Sequence, residues 1–427
     1  MTFFDITAVL ITLAAAFGYI NYRFFRLPTT TGIMSIALLS CLFLLAVSGI
    51  FPQWHLKELL NLFLANINFN QALMHGMLCF LLFAGALHVQ LEDLRANRWT
   101  ILLLATVGTI ISTFLVGGTV FEVMKAADQP VSLLICLIFG AIISPTDPIA
   151  VLGLLKELKA PKGLDATIAG ESLFNDGVGV VIFLALISLA GLGSDGSHLD
   201  IGAAHIAGLF FQEVVGGVLL GLGLGYLAFR MLKSIDYYQL ELLITLALVM
   251  FTYSLSFRLG VSGPIAVVVA GLLIGNYGRR LAMSPKTSEH VDAFWGMADD
   301  ILNAVLFLLI GLDIFDTHIG LSVLLKALAA IPIALASRFL SVFLPMGFLP
   351  WSKHQKGIVP ILTWGGLRGG LSVAMALSLP DLLEKDLILA ATYAVVFFSV
   401  LAQGLSIKKL LSHYGLGKIN EQKRKRV

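Results

Sequence analysis

From residue 4 to residue 411 the sequence is a succession of apolar runs parted by short polar connections. Each run is near the ~20 residues a helix needs to cross a bilayer. Such a chain satisfies its backbone within helices, because lipid offers no hydrogen-bond partner. Composition agrees: 58% of residues are hydrophobic and 13% charged, where a soluble domain carries roughly 25% charged residues. The reading is an all-α polytopic membrane protein with about thirteen segments. They fall at 4–22, 29–50, 70–90, 99–122, 131–156, 164–190, 204–230, 239–257, 261–277, 291–313, 319–349, 357–380 and 386–411. The first lacks a basic flank and a cleavage site, and reads as a retained helix. Residues 53–70 suggest an interfacial amphipathic helix, and 191–200 a flexible connection. Cys41, Cys79 and Cys136 lie in apolar segments with no disulfide or metal spacing.

The charge distribution sets an expected orientation. Of the 28 lysines and arginines, Lys57, Lys125, Arg258 and Lys385 lie in connections after even-numbered segments. Lys326, Arg338 and Arg368 lie deep inside segments, and the rest lie at the ends of odd-numbered ones or after them, the C-terminal tail 412–427 included. By the positive-inside tendency the N-terminus is outside and the C-terminus cytoplasmic.

Against this background the sixth segment stands out. GESLFNDG at 170–177 puts Glu171, Asn175 and Asp176 where each polar group costs several kcal/mol unless paired or hydrated. On a helix Glu171 and Asn175 are i,i+4 neighbours, as are Ser172 and Asp176, so two adjacent stripes carry polar oxygen. Such a cluster points at a cation. Burial would make proton and cation compete for Asp176.

Two segments cannot be continuous helices. The fifth contains Ser144-Pro145-Thr146-Asp147-Pro148, whose prolines remove amide donors and clash with the carbonyls of Ala141 and Ser144. Asp147 before Pro148 also reads as a helix start, an N-cap acid with proline at the first position. The twelfth contains Gly365-Gly366-Leu367-Arg368-Gly369-Gly370, and each glycine weakens a helix by roughly 1 kcal/mol. The two breaks are seven segments apart and so run in opposite directions. That is the pattern of inverted repeats in a secondary transporter, with the site between them. The repeats would be 1–190 and 239–411, joined by a linking helix at 204–230.

Other polar residues carry less. Glu171 and Arg368 are best explained jointly as a buried structural or gating pair, with direct cation ligation by Glu171 as the alternative. Arg338 needs a partner. Asp299 and Asp300 could line a cytoplasmic funnel or a hydrated helix end. Lys326 can snorkel, and His75, His88, His205 and His318 sit near segment ends.

SPTDPIAV at 144–151, GESLFNDGVGVVIF at 170–183, FLLIGL at 307–312 and GGLRGGLSVAMAL at 365–377 resemble the sodium/proton antiporters of the NhaP and NHE type. The resemblance implies an NhaA-like fold with two crossing interrupted helices, usually a homodimer in a cell (inner) membrane. It makes Asp176 the cation- and proton-carrying carboxylate, with Asp147, Ser172 and the Thr146 carbonyl completing coordination and Glu171 and Asn175 in support. Arg368, and less closely Arg338, match buried basic positions. The Asn175-Asp176 pair implies electroneutral exchange of one Na+, Li+ or K+ for one proton. One departure is Ala84, in FLLFAGAL, where family members often carry an acid; this leaves open how the arginines are compensated. No resident cofactor and no nucleic-acid partner are implied. An intramembrane enzyme is disfavoured, since no HExxH or GxGD stretch occurs. The rival transporter reading is a symporter of organic anions or other small solutes on a similar scaffold.

Overall fold

The computed structural model describes residues 3–27, 29–51, 76–128, 131–158, 162–192, 203–313, 321–348, 357–380, 382 and 384–414. Among these the protein is helical throughout apart from turns, connections and one isolated β-bridge. In chain order the helices are α1 (Phe3–Ile20), α2 (Thr29–Ile50), α3 (Leu78–Leu87), α4 (Leu91–Ala96) and α5 (Arg98–Ala126). Then come α6 (Leu133–Ile143), α7 (Ile149–Leu158), α8 (Lys162–Leu189), α9 (Ala203–Leu232), α10 (Tyr238–Leu259) and α11 (Gly263–Leu273). They are followed by α12 (Pro285–Asp313), α13 (Leu321–Gly347), α14 (Ile358–Gly365), α15 (Gly370–Leu377) and α16 (Lys385–His413). Among the described residues nine helices are long and apolar enough to cross a membrane, and α3 and α6 are shorter apolar helices. The segment at 53–70, His75, His318, the connection at 193–200 and the tail from 415 lie outside the described residues.

The chain divides into two compact units. One comprises Met1–Met74, Thr146–Pro161 and Asp300–Val427; the other His75–Pro145 and Lys162–Asp299. Of the four dividing points, one falls between Pro145 and Thr146 and another, on α12, between Asp299 and Asp300.

In the His75–Asp299 unit, helices meet through small residues. A methyl group on Gly117 of α5 would lie 2.7 Å from the Leu137 Cα of α6. A β-carbon on Gly271 of α11 would lie 2.7 Å from the Ala86 side chain of α3. Close backbone approach supplies the dispersion contact that must hold helices together where lipid removes the hydrophobic driving force. An aromatic cluster fills the core: Trp295 is fully buried, 4.8 Å from Phe83 between ring centroids, and its indole N–H donates to the Thr245 hydroxyl at 3.1 Å. Asn276, in the π-helical turn Ile274–Gly278 that follows α11, holds the connection after α3, donating to the Val89 carbonyl at 2.9 Å and accepting from the Leu91 amide at 2.8 Å.

In the other unit α13 packs along α16 and α2 against α7. Leu306 of α12 occupies the space a side chain at Gly370 would need, and Cys41 of α2 that at Gly311. Much of α1 is exposed, as expected of an apolar helix with lipid or another chain on its outer face.

Candidate functional site

α8 runs unbroken through the polar cluster. Its glycines explain the helix's close seating: Gly170 abuts Leu94 and Ile101, Gly177 abuts Ile265, and a side chain at Gly179 would collide with the Pro145 ring. Gly179 is three residues beyond Asp176, so the carboxylate's height on α8 is registered against the first of the two prolines. Glu171 and Ser172 are each 2% exposed and Asn175 1%, while Asp176 is half-buried. The helical spacing thus keeps the pairs Glu171/Asn175 and Ser172/Asp176 together on α8, with Asp176 the most accessible of the four.

The fifth segment is interrupted where its sequence requires. α6 ends at Ile143, and the Ser144 hydroxyl folds back to donate to the Gly140 carbonyl at 2.7 Å. That hydroxyl also lies 3.0 Å from the Thr113 hydroxyl of α5. α7 then starts at Ile149, its first turn closed by the Leu152 amide donating to the Pro148 carbonyl at 2.8 Å. The start falls one residue later than an N-cap at Asp147 predicts. The first carbonyl used by the helix is that of Pro148, and the Asp147 N–H donates outside it, to the Leu367 carbonyl at 2.8 Å in an antiparallel bridge.

Leu367 belongs to the second interruption, so the two breaks meet there. α14 ends at Gly365, and Gly366 (φ −76°, ψ 67°) makes a tight reverse turn in which the Leu367 amide donates to the Gly365 carbonyl at 2.9 Å. α15 resumes at Gly370. None of these glycines needs a positive φ. They are required for room: a β-carbon on Gly366 would strike the Arg338 guanidinium, and one on Gly369 the Asp147 carboxylate.

The ends of the broken helix are matched in charge. Arg338, 5% exposed on α13, donates from Nη2 to the Leu362 carbonyl at 3.1 Å, at the negative end of α14. Asp147 lies against Gly369, the residue that precedes α15, at the positive end of that helix. Arg368, 3% exposed, lies between the two half-helices and lines a small cavity with Arg338, Gly366, Ser399 and Gln403.

Thus Thr146 and Asp147 stand with Arg338 and Arg368 in one unit, and Glu171, Ser172, Asn175 and Asp176 share α8 in the other. Asp299 and Asp300 are adjacent and half-buried on α12, and Lys326 is half-buried on α13. Ala84 is buried, and its carbonyl lies 2.8 Å from Nδ1 of His88. Gln403 and Ser399 were not singled out from the sequence. The available signal was a glutamine inside the thirteenth apolar segment, where an amide needs partners.

A family model described as "Sodium/hydrogen exchanger, transmembrane" matches residues 9–413. The chain belongs to the sodium/hydrogen exchanger family. This family is one of transporters, not enzymes. The exchanger is 47% identical over 95% of its length, and 96% of the relative's, to the Na(+)/H(+) antiporter NhaP of Pseudomonas aeruginosa. It is 35% identical to the Na(+)/H(+) antiporter NhaH of Halobacillus dabanensis, covering 82% of this chain and 84% of the relative. Among solved structures, the sodium proton antiporter MjNhaP1 from Methanocaldococcus jannaschii at pH 8 superposes with a TM-score of 0.66 at 22% identity. That match covers 91% of this chain and 99% of the other, and it establishes a shared fold.

Proposed function

We propose that this exchanger is a secondary antiporter that moves Na+, or Li+ or K+, in one direction and H+ in the other, one for one. The observation that carries the reading is the meeting of two interrupted helices at the Asp147–Leu367 bridge, in a chain whose α8 bears a buried polar cluster. Membership of the family and the antiporters it resembles support the ion pair.

In this reading Asp176 is the exchanging carboxylate. Ser172, Asp147 and the Thr146 carbonyl offer further hard oxygen ligands of the kind alkali cations take, with Asn175 and Glu171 bracing the site. Broken helices supply free carbonyls and helix ends at membrane depth without exposing them to lipid. One carboxylate that holds either a proton or a cation couples the two flows by exclusion. Alternating access then carries each occupant across. Glu171 with Arg368 forms a structural or gating pair, and Asp299 and Asp300 line a cytoplasmic entry.

The architecture that goes with this is about thirteen spans in two inverted repeats. The N-terminus is outside and the basic tail inside, in the cell (inner) membrane. The working form is a homodimer. The odd spacing of the two breaks supports the repeats, and the exposed face of α1 supports an interface.

The test is proteoliposomes loaded with a pH-sensitive dye, given Na+, Li+ or K+ in turn. Wild type should respond to at least one cation, unaffected by clamping the membrane potential, while Asp176→Asn remains silent. A response surviving in Asp176→Asn would remove Asp176 from its role. No response to any alkali cation would favour the organic-solute symporter.

A further inference from the structure

We infer that Gln403 is a positioning residue, one that holds the second helix break, and through it the Asp147 backbone, in register for the cation. The inference rests on the reading of Asp147 as a cation ligand.

Gln403 is 2% exposed, and both ends of its amide are used. Its Nε2 donates to the Trp364 carbonyl at 3.1 Å, and its Oε1 accepts from the Ser399 hydroxyl at 2.6 Å. Trp364 lies in the last turn of α14, so its carbonyl is one of those a terminated helix leaves without an amide partner. Arg338 donates to the Leu362 carbonyl two residues earlier, and the Leu367 amide donates to that of Gly365. Gln403 thus takes one of the carbonyls on the way to Leu367, whose own carbonyl accepts from Asp147. A second contact ties the same tryptophan down, since its indole N–H donates to the Ser406 hydroxyl at 2.9 Å.

The helix that carries these groups is adapted to the task. Ser399–Gly404 winds as a π-helical turn inside α16. Within it the Ser399 hydroxyl donates to Oε1 of Gln403, and Nε2 reaches across to the Trp364 carbonyl of α14. Such bulges occur often at functional sites, because they redirect side chains at a cost in regular hydrogen bonding. A glutamine that merely filled space would gain nothing over methionine, whereas a buried amide left half-satisfied is costly. Nothing in this arrangement touches the ion. It acts by fixing where the extended residues between α14 and α15 lie, and so where the Asp147 backbone and its carboxylate sit against Gly369.

The experiment pairs Gln403→Met with Ser399→Ala in the full chain, read by sodium kinetics in proteoliposomes and by deuterium uptake of the peptides spanning 144–150 and 362–370. Gln403→Met should raise the sodium KM about fivefold to tenfold, with Vmax within about twofold. Uptake should rise in those two peptides and nowhere else. Ser399→Ala, which leaves the donor to Trp364 in place, should give a smaller change of the same kind, and it carries the test if Gln403→Met does not fold. Unchanged uptake in the two peptides, or a change spread over the whole chain with Vmax lost alongside KM, overturns the inference. Raised uptake with an unaltered KM overturns it too, provided Asp147→Asn shifts KM. If Asp147→Asn leaves KM intact, the ligand role of Asp147 fails instead, and the uptake data alone decide whether Gln403 holds the break.

Discussion

The two helix interruptions differ in how they are made. The first is marked locally by Pro145 and Pro148, which remove amide donors and crowd the preceding turn, although Pro332 and Pro345 inside the continuous α13 show that proline alone need not end a helix. The second contains no proline, and its glycines adopt backbone angles open to other residues. What they provide is the space into which Arg338 and the Asp147 side chain fit. The first break therefore combines the local chemistry of proline with a backbone bridge to Leu367, and the second depends on the room its glycines leave for tertiary partners. They should respond differently to substitution.

The largest effect expected is at Asp176, which belongs to neither break. Asp176→Asn should abolish exchange, by at least about a hundredfold, while the protein elutes as a folded species in detergent. Exchange surviving in this variant would mean that the two breaks serve some carboxylate other than Asp176.

Next comes Gly369→Ala. Its methyl group would overlap the Asp147 carboxylate, and overpacking of this kind costs about 1–3 kcal/mol. Exchange should fall by more than about tenfold, with a raised sodium KM; wild-type KM would show that the close approach has no functional weight. Arg338→Met should be next in size. It removes a charge-assisted bond to the Leu362 carbonyl worth about 1.5–3 kcal/mol, and a lowered melting temperature in detergent is the readout.

Pro145→Ala should have the smallest effect, under about threefold on exchange. The bridge from Asp147 to Leu367 and the Ser144 cap remain in place to hold the first break open. A loss as large as that of Gly369→Ala would show that the proline break has no tertiary support.

Legibility from the sequence followed the same division. Pro145, Pro148 and the glycine run announced both interruptions, because proline removes an amide donor and clustered glycines weaken a helix, though the room the glycines leave for Arg338 and Asp147 could not be read. The polar cluster was equally plain, since carboxylates and amides at membrane depth are rare whatever their partners. The partner of Arg338 could not be read, because it includes the carbonyl of Leu362, a group every residue carries. Gln403 was hidden for the same reason, and because a π turn shifts the face on which it lies. The Asp147 amide bonds to a residue more than two hundred positions away. No local propensity encodes that.

The claim on which all else rests is that proton and cation compete for one carboxylate. Its direct test is the sodium KM of the wild-type protein in proteoliposomes, measured over a range of pH with the membrane potential clamped. Below the working range of Asp176 each unit fall in pH should raise the KM about tenfold and leave Vmax unchanged, at every clamped potential. A KM indifferent to pH, or a rate that follows the potential, would contradict electroneutral exchange by competition at a single site.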